Sequence, residues 1–142
     1  MPNDFPLTSR SLPIALLRAR ERVMGPIRKM LSDAGVTEQQ WRVLRVLQEE
    51  GPQEPTRIAE RACLLLPSLT RILQKLEAKG LIRRRVNPGD KRRQIVEVTA
   101  QGERIIQDNI EVMIRLAEEI KDQLGQKRHE ALLDLLNELH DL

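Results

Sequence analysis

The sequence predicts a mainly α-helical chain with a small β-hairpin wing, and three observations point that way. Apolar residues recur at helical spacing through most of the 142 residues. The pattern breaks once, between Leu81 and Thr99, where two short apolar stretches flank Asn87-Pro88-Gly89-Asp90, a sequence suited to a tight turn. Glycine and proline punctuate the remainder at Gly35, Gly51-Pro52, Pro67, Gly80 and Gly125.

A first helix is expected from Leu12 to Leu31, with Leu12, Leu16, Ala19, Val23 and Ile27 along one stripe and Gly35 beyond its end. Thr37 and Gln40 have capping-box spacing, and Val36 and Trp41 occupy the hydrophobic-staple positions, so a second helix should run to about Glu50. After Gly51-Pro52, a short third helix, about Thr56 to Cys63, places Ile58, Ala59 and Ala62 at core spacing. A fourth should begin near Pro67, since proline suits a first turn, with Ser68 able to satisfy backbone donors there. It should end at Gly80. Leu69, Ile72, Leu73 and Leu76 form its dry side and leave Arg71, Gln74 and Lys75 opposite.

Ile82 to Val86 and Ile95 to Val98 read as two strands with a basic tip, joined by a type II turn in which Pro88 presets the first φ and Gly89 takes a positive one. Beyond a cap at Thr99, Glu103 to Leu124 carries a long stripe of Ile106, Ile110, Met113, Ala117, Ile120 and Leu124. A last helix, Gln126 to Leu142, holds Leu132, Leu133, Leu135, Leu136 and Leu139, more apolar surface than its own chain needs. The order is that of a winged helix-turn-helix, about 37–99, inside a single domain whose N- and C-terminal helices, about 12–34 and 100–142, are expected to form a homodimer.

Charge is uneven. From Arg57 to Arg93 there are eleven positive and three negative side chains, a net of +8; with +3 overall, the remainder carries −5. Such clustering suits a polyanion partner, although a solvated basic face has the same composition. Phe5 and Trp41 are the only aromatics, too few for the stacking platforms of a single-strand reader, so double-stranded DNA is the expected partner. Cys63 is the only cysteine, and His129 and His140 are isolated, so neither a disulfide nor a metal site is expected and no cofactor is implied. Cys63 lies beside Ala62, Leu64, Leu65 and Leu66, an apolar setting in which a thiol packs and does not sense oxidants. No phosphate loop, nucleophile elbow or metalloprotease helix occurs, so the chain is not read as an enzyme. No apolar run could span a bilayer, and Met1–Ser11 has no signal-peptide blocks, so a cytoplasmic, non-membrane protein is expected.

Ile58-Ala59-Glu60-Arg61, Pro67-Ser68-Leu69-Thr70-Arg71, Leu76 to Ile82, Asp90-Lys91-Arg92, Thr99 and Gly102 resemble the MarR family in order and spacing. Ala15 to Glu21, Glu38 to Arg42 and Arg61 to Leu65 are similar to its homoprotocatechuate-degradation operon regulators. The resemblance implies a repressor released from DNA when an aromatic acid binds between the dimerising and reading parts. It also implies that Asp90 fixes Arg92.

For DNA, Ser68, Thr70, Arg71, Gln74 and Lys75 are candidates for a major groove, where base edges carry a readable code; Ser68 has the alternative of acting as a cap alone. Lys91, Arg92 and Arg93 sit at the wing, where one arginine could enter a minor groove. For a small aromatic carboxylate, Arg18, Arg20, Trp41 and Arg42 are candidates, arginine pairing with the carboxylate and the indole covering the ring. Arg18 and Arg20 lie on different sides of the first helix, and Trp41 is equally a core residue. The other reading is an architectural or protein-binding winged helix without ligand control.

Overall fold

The computed structural model describes residues 5–142, so the first four residues of the N-terminal stretch fall outside the described ones. After a 3-10 turn at Thr8–Arg10 come α1 (Leu12–Ala34), α2 (Glu38–Glu50), α3 (Pro55–Ala62), α4 (Leu66–Ala78), β1 (Ile82–Asn87), β2 (Asp90–Val98), α5 (Ala100–Leu124) and α6 (Gln126–His140). The chain forms two compact units. One is residues 30–111; the other combines the stretch through Lys29 with that from Val112 onward.

The core of the 30–111 unit includes Leu44, Leu47, Ile58, Leu69, Leu76 and Val96. Its helix starts and stops follow from local chemistry. Thr37 Oγ1 accepts from the Gln40 N–H at 3.1 Å and Gln40 Oε1 accepts from the Thr37 N–H at 3.2 Å, a reciprocal capping box, while Val36 and Trp41 are buried. Helices α1, α3 and α4 each pass into a left-handed residue: Gly35, Cys63 and Gly80. In each case the following amide donates back into the helix, to Leu31, Ala59 and Leu76 O at 3.1, 2.9 and 3.0 Å, satisfying a carbonyl that the helix end leaves open.

Cys63 is thus a side-chain-bearing residue where the backbone favours glycine. The apolar packing inferred from its neighbours is not found. The thiol is exposed, because the left-handed turn at φ 55° carries the chain outward and the next residues follow it, Leu65 being 76% exposed. Cys63→Gly should therefore stabilise the protein by about 0.5 kcal/mol: relief of the ~1–2 kcal/mol left-handed cost exceeds the ~0.5–1 kcal/mol of extra chain entropy that glycine loses. A melting temperature below that of wild type would contradict this account.

Helix α4 begins at Leu66 with Leu65 as its N-cap, and no side chain caps it. The capping role open to Ser68 is therefore not realised. Ser68 is the third residue of the helix, not its N-cap, and its amide bonds Leu65 O at 3.0 Å.

Strands β1 and β2 pair antiparallel from Ile82↔Val98 to Val86↔Gln94, with an irregularity after Val86. Their turn is not type II, since Gly89 is outside the left-handed region. Instead Asn87 Oδ1 accepts from the Gly89 N–H at 2.8 Å, an Asx turn that closes the corner with negative φ. Gln53 also bridges Val96, with bonds of 3.0 and 2.8 Å in the two directions. This ties the loop after α2 to the hairpin and was not legible in the Gly51-Pro52 pattern.

Thr99 Oγ1 donates to Gly80 O at 2.7 Å and accepts from the Gly102 N–H at 3.2 Å, so α5 starts at Ala100, earlier than the expected Glu103. Gly102 has to lack a side chain: a Cβ there would strike the Leu81 carbonyl oxygen and approach Val98 Cγ2 to 2.6 Å. In the terminal unit none of the described residues is fully buried. Helix α6 buries none of its residues, and Leu132, Leu133, Leu135, Leu136 and Leu139 are all exposed, as are Leu12, Leu16, Leu17 and Val23 of α1. Ala117, read as part of the α5 stripe, is exposed too. Among the described residues, no helix is long and apolar enough to cross a membrane.

Candidate nucleic-acid interface

Helix α4 buries Leu69, Ile72, Leu73 and Leu76 and exposes Ser68, Thr70, Arg71, Gln74 and Lys75. With Thr37, Gln39 and Gln40 at the start of α2, its residues Pro67, Ser68, Arg71, Ile72 and Lys75 line a concavity of about 460 Å³. Five sequence candidates thus share one helix, and three of them, Ser68, Arg71 and Lys75, share one groove.

The charge balance within the basic segment separates its cations into two groups. Arg57 and Arg61 lie 3.5 and 3.3 Å from Glu50, Arg83 and Arg85 lie 3.0 and 3.9 Å from Glu97, and Arg84 lies 2.8 Å from Glu77. Arg92 pairs with Asp90 and Arg93 with Asp90 and Glu54, and the Lys79 ammonium bonds Gly35 O and Gln40 Oε1, both at 2.9 Å. Arg71, Lys75 and Lys91 have no acidic partner among the described residues. Exposed pairs stabilise a fold by well under ~1 kcal/mol, but they cancel local field. Of the cations without an acidic partner, Lys79 is tied to neutral oxygens, and the other three stand on the outer face of α4 and at the hairpin tip.

At that tip, Asp90 Oδ1 accepts from the Arg92 backbone N–H at 3.0 Å and from Arg92 Nε at 3.3 Å. This is the restraint on Arg92 that the family resemblance implies. Arg92 nevertheless leaves 92% of its side chain in solvent. Arg93 is held more closely, with Nε 3.6 Å from Asp90 Oδ2 and Nη1 3.5 Å from Glu54 Oε1 at the start of α3.

The Arg84 guanidinium anchors α4 to β1 and, by its hydrogen bond and charge, holds the Glu77 carboxyl below the usual glutamate value. A carboxyl lowered by folding contributes stability that is present above its unfolded value of about 4.3 and disappears as pH falls through the lower folded one. Wild type should consequently lose more stability between about pH 5 and pH 3 than Glu77→Gln does. Parallel pH profiles of melting temperature would refute it.

The effector candidates do not all belong to one unit. Arg18 and Arg20 lie in the terminal unit, where Arg18 Nη2 donates to Thr8 Oγ1 at 3.2 Å; Trp41 and Arg42 lie in the 30–111 unit. Trp41 is 5% exposed and packs as a core residue. Arg42 is half-buried, with its Nε buried and unbonded. Arg45 has the same condition and was not singled out from sequence. The available signal was its place one turn beyond Trp41 on α2, a spacing that puts two side chains on one face. Among the described residues, no group of His, Cys, Asp and Glu could hold a metal ion.

An α3–α4 helix-turn-helix followed by an antiparallel hairpin defines a winged helix-turn-helix protein of the DNA-binding class. The chain belongs to the MarR family, which matches residues 36–93. It is similar to the HTH-type transcriptional regulator FarR of Neisseria gonorrhoeae, 39% identical over 91% of this chain and 88% of that protein. The homoprotocatechuate degradative operon repressor of Escherichia coli is 37% identical over 90% of this chain and 86% of its own length. Among solved structures, NadR in complex with 4-hydroxyphenylacetate superposes with a TM-score of 0.81 at 39% identity, covering 95% of this chain and 97% of that one. The transcriptional repressor CouR bound to a 23-mer DNA duplex gives 0.84 at 28% identity, covering 93% and 94%. The chain is a transcriptional regulator of the MarR type.

Proposed function

We propose that this regulator is a cytoplasmic, homodimeric, non-enzymatic repressor that reads a pseudo-palindromic operator and releases it on binding a small aromatic carboxylate. The placement of Arg71, Lys75 and Lys91, exposed cations with no bonded partner among the described residues, carries the DNA part. Arg71, Gln74, Lys75, Thr70 and Ser68 face the major groove; Lys91 and the more exposed Arg92 extend the contact from the wing, and Arg93, held by two carboxylates, contributes less. Two α4 helices in successive major grooves place half-site centres about 10 base pairs apart.

The carboxylate part is supported by likeness to a homoprotocatechuate operon repressor and to a protein solved with 4-hydroxyphenylacetate. It is supported too by chemistry, since a buried guanidinium N–H without a partner is costly until an anion or water satisfies it. Arg45 and Arg42 on α2 offer such donors beside Trp41, and Arg18 and Arg20 are the first-helix candidates.

Trp41 is the only tryptophan, so titration with phenylacetates, benzoates and cinnamates should change its fluorescence and, in the same solution, lower affinity for the operator. A tenfold loss requires a coupling of about 1.4 kcal/mol, and DNA must weaken the ligand by the same factor. Arg45→Ala and Arg20→Ala should weaken the ligand while leaving ligand-free DNA affinity nearly intact. If no compound moves either signal, the chain is an architectural winged helix without effector control.

A further inference from the structure

We infer that Lys79 is a positioning residue that sets the pose of the reading helix from its far end, without contacting DNA. This rests on α4 being the reading helix. Lys79 is the C-cap of α4, directly before the left-handed Gly80. A cation there would ordinarily stay in solvent near its own helix's open carbonyls. Here the ammonium leaves them and donates to two acceptors outside α4: Gly35 O, the left-handed residue that ends α1, and Gln40 Oε1 in the first turn of α2. Both bonds are 2.9 Å.

Gln40 makes the junction specific. It is 3% exposed, and its one oxygen serves two donors, the Thr37 amide that starts α2 and the Lys79 ammonium. The Lys79 ammonium, through Gly35 O and the Gln40 oxygen, therefore joins the end of α4 to the end of α1 and the start of α2. The groove presenting Arg71 and Lys75 is bounded by that same start of α2, with Gln40 in its lining. Displacing the end of α4 relative to Gln40 changes the groove and moves Arg71 and Lys75 with their helix. A charge-assisted bond to a buried acceptor is also hard to exchange for a phosphate, because breaking it leaves the buried oxygen short of a donor. Lys79 is thereby separated in role from Arg71, Lys75 and Lys91, whose charged groups have no bonded partner among the described residues.

The test uses full-length protein, the duplex that wild type enriches from a randomised library, and a scrambled duplex of the same composition. Lys79→Met should lower the ratio of selected to scrambled affinity by about tenfold, within what one base-reading arginine supplies, and leave the slope of log affinity against log salt unchanged. Lys79→Arg, which still offers several donors, should keep the ratio within about threefold of wild type. Gln40→Leu should reproduce the loss, and combining it with Lys79→Met should add little, as for one shared interaction. A slope reduced by about 0.9 with an unchanged ratio would make Lys79 a phosphate contact and overturn the inference. So would a lower melting temperature with ratio and slope unchanged, the signature of a purely structural tie. If Lys79→Met does not fold, the Gln40→Leu ratio decides. Arg71→Ala separates the two layers: if it lowers the ratio and neither Lys79→Met nor Gln40→Leu does, the positioning role fails alone, whereas if no variant lowers it, the assignment of α4 as the reading helix fails and the inference with it.

Discussion

Arg71→Ala should weaken binding to the selected operator by about 1–3 kcal/mol, roughly five- to 150-fold, while changing affinity for random duplex far less. Arg71 lies on the exposed face of α4, lines the groove with the start of α2, and among the described residues has no acidic partner that it would have to leave. A guanidinium with that freedom can offer two parallel donors to a guanine edge, a contact that scrambled sequence supplies only by chance. Lys91→Ala is the contrasting case. At the hairpin tip its ammonium is exposed and has no partner among the described residues, so its loss should weaken specific and random duplex alike and reduce the salt slope by about 0.9. Arg93→Ala should move the slope less, since Asp90 and Glu54 already balance that charge. Affinities measured at several salt concentrations decide the matter. Equal slopes in wild type and Lys91→Ala would remove the wing from the interface.

Leu136→Glu should convert the protein to a monomer at micromolar concentration and lower operator affinity by more than a hundredfold. Every residue of α6 is unburied within the chain, and its leucines recur along one side at 132, 133, 136 and 139. Burying a leucine is worth about 1.5–3 kcal/mol, so a few of them supplied by two copies are sufficient for a stable dimer. A carboxylate at the centre of that surface replaces the gain with an unpaired buried charge on each copy. Operator affinity falls in turn, because a monomer engages one half-site and loses the effective concentration that links the second. Light scattering measures the mass, and titration the affinity. A variant of monomeric mass that binds the operator as wild type does would show that the second copy is not needed for reading.

Much of the architecture was readable in order along the chain, because it rests on short-range chemistry. Capping at Thr37 and Gln40, the stops at Gly35, Gly51 and Gly80, the dry stripe of α4 and the Thr99 start of α5 each depend on groups within a few residues. The stripe also placed Arg71, Gln74 and Lys75 outward, since burying four apolar residues on a helix leaves the rest no other side. Where local rules failed, a competing interaction of similar size had won. Asn87 closed its turn with a side chain and relieved Gly89 of a positive φ, and Cys63 took a left-handed position usually left to glycine, which turned an apparently apolar thiol outward.

Tertiary structure alone decided which charges remain free. The sequence held eleven cations between Arg57 and Arg93 with nothing to rank them. Pairing depends on where Glu50, Glu54, Glu77, Asp90 and Glu97 arrive, and four of these five are brought to their partners by helix or strand packing, not by adjacency. The same holds for Lys79, whose acceptors lie 39 and 44 residues away, and for the buried Nε of Arg45. Periodicity determines which face of a helix is wet, because that is a property of one segment. Whether a wet cation is compensated or left for DNA depends on distances between segments, which only the packed chain sets.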